Sequence, residues 1–141
     1  WMATEKNTGG ASLSECIFIG QVSAYGKTPG TVIVRRPDKD DRTSAELAVM
    51  SRCTKETKDY WMPDIDEQVL CILLPNASGK GPGAGFVIGA FYSTADPPKE
   101  HNTSVRSIRY KDGSYIVNNN GAMEIHASKS LKITAPRIDL N

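Results

Sequence analysis

Histidine most often supplies acid–base chemistry or a metal ligand near neutral pH, and this chain of 141 residues has two, His101 and His126. Three copies of His126 around a threefold axis could ligate a metal through their imidazoles. However, Ile125 and Ala127 on either side of it are predicted to face an interior, so strand alternation directs His126 to solvent. We predict no metal and no cofactor, with His126 as the one candidate ligand.

Two acidic clusters and one glycine-rich run are further candidate sites. The clusters are Asp38, Asp40, Asp41 and Asp64, Asp66, Glu67, and the run spans residues 79–85. Neither cluster has the spaced Asp/Asn pattern, closing Gly and distant Glu of a calcium loop. The run lacks the phosphate-cradle spacing and no helix follows it. We interpret all three as loops between strands and, since no nucleophile, base and orienting group can be assembled, predict no enzyme.

Tyr60 and Trp61 could stack bases as aromatic residues do in single-strand binders. Binding of nucleic acid also requires a cationic excess, whereas 17 Lys and Arg here face 16 Asp and Glu. We therefore predict packing near Pro63 and no nucleic-acid partner. The cysteines Cys16, Cys53 and Cys71 form no C-x-x-C pair and are interpreted as reduced thiols.

Short apolar or alternating runs, each ended by turn residues, must position these side chains. No window longer than two turns has helical periodicity without a Gly, Pro or polar break, which favours an all-β protein. Five runs precede residue 95, at 16–25, 31–36, 45–53, 68–74 and 85–92. Five strands with loops of these lengths predict a small closed barrel of the oligonucleotide/oligosaccharide-binding (OB) kind.

The composition divides the chain into four parts. We predict a disordered N-terminus at 1–14, a barrel at 15–95, a polar, proline-bearing linker at 96–104 and a tail at 105–141. The tail alternates apolar and polar residues in short runs, with strands predicted at 108–110, 115–117, 123–127, 131–135 and 138–140. Its apolar face is too large for so few residues to cover, so the tail cannot fold alone.

An intertwined homo-oligomer of two or three copies would bury this face. The predicted interior residues are Met123, Ile125, Leu131, Ile133, Ile138 and Leu140. The predicted tip is Ile138, Asp139, Leu140 and Asn141. Outward residues such as Lys132 and Arg137 give residues 105–141 a net charge of +3, against −2 for the rest of the chain.

The order of several motifs resembles the baseplate assembly protein V family, the central spikes of contractile phage tails, which are similar to the valine-glycine-repeat spikes of type VI secretion. The motifs are IGQV at 19–22, TVIVRRP at 31–37, YWMPDIDEQVL at 60–70 and GFVIGAFY at 85–92, followed by Pro97-Pro98, and the resemblance covers residues 16–98. It implies a homotrimer with an N-terminal five-stranded OB-fold barrel and a C-terminal triple-stranded β-helix. The implied role is a needle, attached to the tail tube or a hub protein, that pierces the target cell envelope.

The implied location is the baseplate of a virion or tail-like particle, such as a bacteriocin, assembled in the bacterial cytoplasm. Many members of the family bind an apical iron ion through a terminal His-x-His motif, which this chain lacks. A longer natural chain, a tip-capping protein or apolar packing of Ile138 and Leu140 would each account for this. The alternative hypothesis is a monomeric OB-fold module that binds single-stranded nucleic acid or oligosaccharide.

Overall fold

The computed structural model describes residues 13–75 and 82–141. It divides into two compact units, Trp1–Pro97 and Pro98–Asn141, which we name the barrel unit and the tail unit. The elements are α1 (Leu13–Cys16), β1 (Ile17–Tyr25), β2 (Thr31–Arg36), β3 (Arg42–Thr43), β4 (Leu47–Val49), β5 (Gln68–Pro75), β6 (Pro82–Ala90), β7 (Val105–Arg109), β8 (Tyr115–Asn119) and β9 (Ala122–His126), with a 3-10 turn at Pro37–Lys39. The predicted all-β class is confirmed, with almost no helix in the described residues.

Five strands of the barrel unit close on themselves. Their order is β1-β5-β6-β4-β2, and β2 pairs back onto β1. The β4–β6 pair is parallel and the other four pairs are antiparallel. This is the order of an OB-like Greek-key barrel, so the predicted five-stranded barrel is confirmed. The short strand β3 extends β2 at one side.

Alternation along the strands fills the barrel interior. In β1 the buried positions are Phe18, Gly20 and Val22, with more exposed neighbours between them. The buried apolar core is Phe18, Val22, Val32, Val34, Leu47, Val69, Cys71, Leu73 and Val87. Five of these nine are valines, whose branched side chains suit a pleated surface and the small interior of a five-stranded barrel. Burial raises the pKa of the Cys71 thiol to about 12, and all three cysteines are free.

The run predicted at 45–53 forms a strand only over Leu47–Val49. In the loop that follows, backbone groups hydrogen-bond within the loop: the Asp59 N–H donates to the Cys53 carbonyl at 3.0 Å. The indole N–H of Trp61 donates to the Met50 carbonyl at 2.8 Å, which holds the ring against the end of the strand. Trp61 thus anchors the loop to the barrel, whereas Tyr60 is 81% exposed, so the predicted packing is wrong for Tyr60.

Other boundaries shift by a few residues. The run predicted at 85–92 is strand β6, Pro82–Ala90. The predicted disorder at 1–14 lies outside the described residues over 1–12, and Leu13 begins the turn of α1. Residues 79–81 of the glycine-rich run also lie outside the described residues. Residues 82–85 belong to strand β6, so the interpretation of the run as a loop is wrong over that part.

Close approach of β1 to β2 requires glycine at position 20. A Cβ there would lie 2.7 Å from the Arg35 carbonyl oxygen and would overlap Cγ1 of Val34. We expect Gly20→Ala to lower the free energy of unfolding by about 1–3 kcal/mol, the usual cost of overpacking a core. The measurement is urea denaturation of the full chain.

Gly89→Ala is the matched control, because a Cβ at Gly89 in strand β6 meets nothing within 4 Å. It should change the free energy of unfolding by less than about 0.5 kcal/mol. Equal destabilisation by the two substitutions would contradict the close strand approach.

Candidate oligomerisation surface

The tail unit contains a three-stranded antiparallel sheet, β7-β8-β9. A two-residue loop joins β8 to β9, with φ of 52° at Asn120 and 96° at Gly121. Asn-Gly is the pair that favours such a turn, because both central residues need positive φ. The loop sets the pairing of Asn119 with Ala122 and thereby the register of the whole hairpin.

One face of this sheet is mainly apolar. Residues paired across strands share a face, which places Ile108, Ile116 and Ile125 in one row. Met123, two residues before Ile125, joins them and is 64% exposed. We name these four residues the tail apolar face. Within the described tail unit this face has no covering element, and Ile108, Met123 and Ile125 are each more than half exposed.

The opposite face is polar, and its side chains bind one another. Tyr115 stacks on His126 with ring centroids 5.1 Å apart. The Tyr115 hydroxyl donates to Glu124 at 2.6 Å, which raises the tyrosine pKa above its ordinary value. The Arg109 guanidinium lies 5.2 Å from the Tyr115 ring and pairs with Glu100 at 2.6 Å. The polar side chains of this face thus bind one another, and the face is suited to contact with water.

His126 therefore lies on the face opposite Met123 and Ile125. His101 is exposed. Among the described residues, no group of three or more His, Cys, Asp or Glu side chains is arranged to hold a metal ion.

Residues 127–141, which we name the C-terminal segment, form no strand in the single chain. The Ser128 N–H donates to the Ser114 hydroxyl at 3.0 Å, and beyond it the described residues show no hydrogen bond to the segment's backbone. Its alternating apolar side chains are more than half exposed, from 52% at Ile138 to 92% at Leu140. The segment thus combines a strand-like pattern with the absence of a strand partner among the residues that the structure describes.

The predicted interior residues divide between these two places. Met123 and Ile125 lie on the tail apolar face, whereas Leu131, Ile133, Ile138 and Leu140 lie in the C-terminal segment. At the predicted tip, the Nε of Arg137 donates to Asp139 at 2.9 Å, and Asn141 is exposed.

The polar network was missed from the sequence, although a signal for it was present. A two-residue Asn120-Gly121 turn requires residue 119 to pair with 122, and counting back along the hairpin pairs Tyr115 with His126. The pairing of Glu100 with Arg109, nine residues further along, could not be predicted in this way, because Glu100 lies in a loop whose position strand register does not determine.

No family model matches this chain, and a search of curated proteins finds no match. Among the described residues, no helix has the length and apolar character required to cross a membrane.

The Glu100–Arg109 pair gives a direct test of the polar face. Hydrogen bonds from Arg109 and Ser107, with the charge of Arg109, hold the pKa of Glu100 below its ordinary value of 4.5. The stability gained from the pair is present above pH 4.5 and is lost as the pH falls through the lowered pKa. We expect Arg109→Gln to raise the Glu100 pKa toward 4.5, measured by NMR titration of its carboxyl carbon.

Arg137→Gln removes an equal charge from an exposed pair with Asp139 and is the matched control. It should leave the Glu100 titration where it is in the unaltered chain. An identical Glu100 midpoint in the unaltered chain and the Arg109→Gln variant would contradict the network.

Proposed function

We propose that the chain is a structural subunit of a homotrimeric central spike in the baseplate of a contractile phage tail or tail-like particle. The tail units of three copies wind into an intertwined needle. One observation carries the proposal: within the described tail unit, no element covers the tail apolar face and no strand pairs with the strand-patterned C-terminal segment.

Burial of these side chains supplies the energy for assembly. A fully buried Ile, Leu or Met side chain stabilises a structure by about 1.5–3 kcal/mol relative to the exposed state. Each chain offers six predicted interior residues, all of them more than half exposed when the chain is alone. Winding three chains about one axis buries all of them together, which a lone three-stranded sheet cannot do.

Backbone pairing supports the same arrangement. Strands β7 and β9 are the edges of the described tail sheet, and each has one side without a strand partner. Unpaired edges recruit other strands, and closed assemblies remove them. The C-terminal segment of a neighbouring copy has the alternation and length to supply such a strand.

The two units suit different tasks in such a particle. The barrel unit is closed and has the five-stranded topology that the resemblance to the protein V family implies. We assign to it the attachment to the tail tube or a hub protein. The tail unit, with seven basic and four acidic residues after Pro97, forms the needle that enters the target envelope. The tip of the needle is closed by Ile138 and Leu140 or by a capping protein. We assign no enzymatic role to either unit.

Solution mass tests the proposal. Static light scattering should give three times 15.3 kDa for the full chain. Ile133→Asp should reduce this to the mass of one chain, because three inward carboxylates would be desolvated together. Thr134→Asp introduces the same charge one residue along, on the outward side, and should leave the trimer intact.

Circular dichroism of both variants would establish that the barrel is still folded. A monomeric full chain would contradict the spike and favour a monomeric OB-fold binding module. A trimeric Ile133→Asp variant would contradict the inward assignment.

A further inference from the structure

A groove of about 810 Å³ lies at one end of the β5–β6 pair in the barrel unit. One wall is the loop that leads into β5, and the other is the chain that leaves β6. The Phe91 N–H donates to the Gln68 carbonyl at 3.4 Å and ties the two walls together. None of the residues that line this groove belongs to the buried core of the barrel.

The loop that forms the first wall is fixed to the barrel. The Asp66 N–H donates to the Val22 carbonyl at 2.7 Å, and the Val22 N–H donates to the Glu67 carbonyl at 3.0 Å. The Glu67 carboxylate accepts from the Asp64 N–H at 2.7 Å. The groove is therefore preformed in the folded barrel, so a ligand would not have to order it.

The groove carries negative charge only. Asp64, Asp66, Glu67 and Asp96 line it, and no Lys or Arg is among its described lining residues. None of these four carboxylates is in an ion pair with a described residue. Such a surface is complementary to a cationic partner and repels an acidic one.

The groove is also aromatic and apolar. Phe91 and Tyr92 line it together with Ile65 and Pro97. Tyr92 is 71% exposed, and Phe91 and Ile65 are each more than 40% exposed. Aromatic faces attract cations, most often the guanidinium of Arg, and carboxylates bind the same group through its N–H donors. Aromatic rings together with carboxylates that are in no ion pair therefore favour an arginine side chain beside an apolar one.

We propose that this groove docks a segment of another protein in which arginines flank an apolar residue. The inference goes beyond the spike assignment and does not depend on it, because it concerns a surface of the barrel unit alone.

The arginines of this chain argue against a second copy as the occupant. Of the seven, five pair with carboxylates of their own chain, namely Arg35, Arg36, Arg52, Arg109 and Arg137. Arg106 donates to the carbonyls of Thr103 and Val105. The seventh, Arg42, is exposed and in no ion pair with a described residue, but it lies between Asp41 and Thr43, with no apolar residue beside it. A second copy would therefore offer the groove either an arginine already bound in its own chain or one without an apolar neighbour, whereas a separate protein can present free arginines beside an apolar residue.

The test is fluorescence anisotropy of the full chain with a labelled peptide, Gly-Gly-Arg-Leu-Arg-Gly-Gly. A second peptide replaces both arginines by citrulline, which keeps the shape and removes the charge. We expect saturable binding of the arginine peptide with a Kd below about 1 mM. The citrulline peptide should bind at least about tenfold more weakly.

Variants locate the binding on the chain. Asp64→Asn, Asp66→Asn and Asp96→Asn together should weaken binding about tenfold, as expected for the loss of three exposed ion pairs. Asn suits the positive φ at Asp66, and Glu67 is retained because its carboxylate holds the loop. The matched control removes the same charge elsewhere, with Glu15→Gln, Asp40→Asn and Glu56→Gln, and should bind as the unaltered chain does.

A second pair of variants tests the aromatic contribution. Tyr92→Ser should weaken binding, whereas Tyr60→Ser removes a tyrosine that is 81% exposed outside the groove and should not. Absence of saturable binding, equal binding of the citrulline peptide, or equal effects of groove and control variants would each overturn the proposal. Solution mass is measured separately, so failure of the groove and failure of the trimer are distinguishable.

Discussion

Within the described tail unit nothing covers the tail apolar face, and the proposed assembly depends on that constraint. The three-stranded tail sheet leaves Ile108, Met123 and Ile125 more than half exposed. The side chains on its polar face, in contrast, contact one another through ring stacking and an ion pair. A small sheet with an exposed apolar face gains stability when that face packs against another surface. The C-terminal segment alternates apolar and polar residues, as a strand of such a surface would. Its backbone groups would find hydrogen-bond partners in the same packing.

The barrel unit solves the same problem within one chain. Return of β2 onto β1 removes the sheet edges, and alternation sends one set of side chains, five valines among them, into the interior. Gly20 permits the close approach of β1 to β2. On its outer surface the barrel unit has a loop anchored by Trp61 and a preformed groove lined by acidic and aromatic residues. The barrel unit thus buries its own apolar core, whereas the described tail unit leaves apolar side chains exposed.

The sequence was sufficient to predict the barrel strands because their alternation and turn residues agree. It was not sufficient for the end of β4, since the contacts that stop the strand come from Asp59 and Trp61 further along the chain. The stacking of Tyr115 on His126 was predictable from the Asn120-Gly121 turn, whereas the groove was not, because its walls are about 25 residues apart. The strands predicted at 131–135 and 138–140 are absent from the single chain and stay a prediction for the proposed assembly.

Amide hydrogen exchange in the C-terminal segment tests the central claim most directly. If the tails are intertwined, amides between Leu131 and Ala135 in the full chain will exchange more than about a hundredfold slower than in an unstructured peptide, because strands of other copies protect them. In the single chain no described residue hydrogen-bonds to these amides. Exchange at the unstructured rate, at concentrations where light scattering shows the assembled mass, would contradict the intertwined tail.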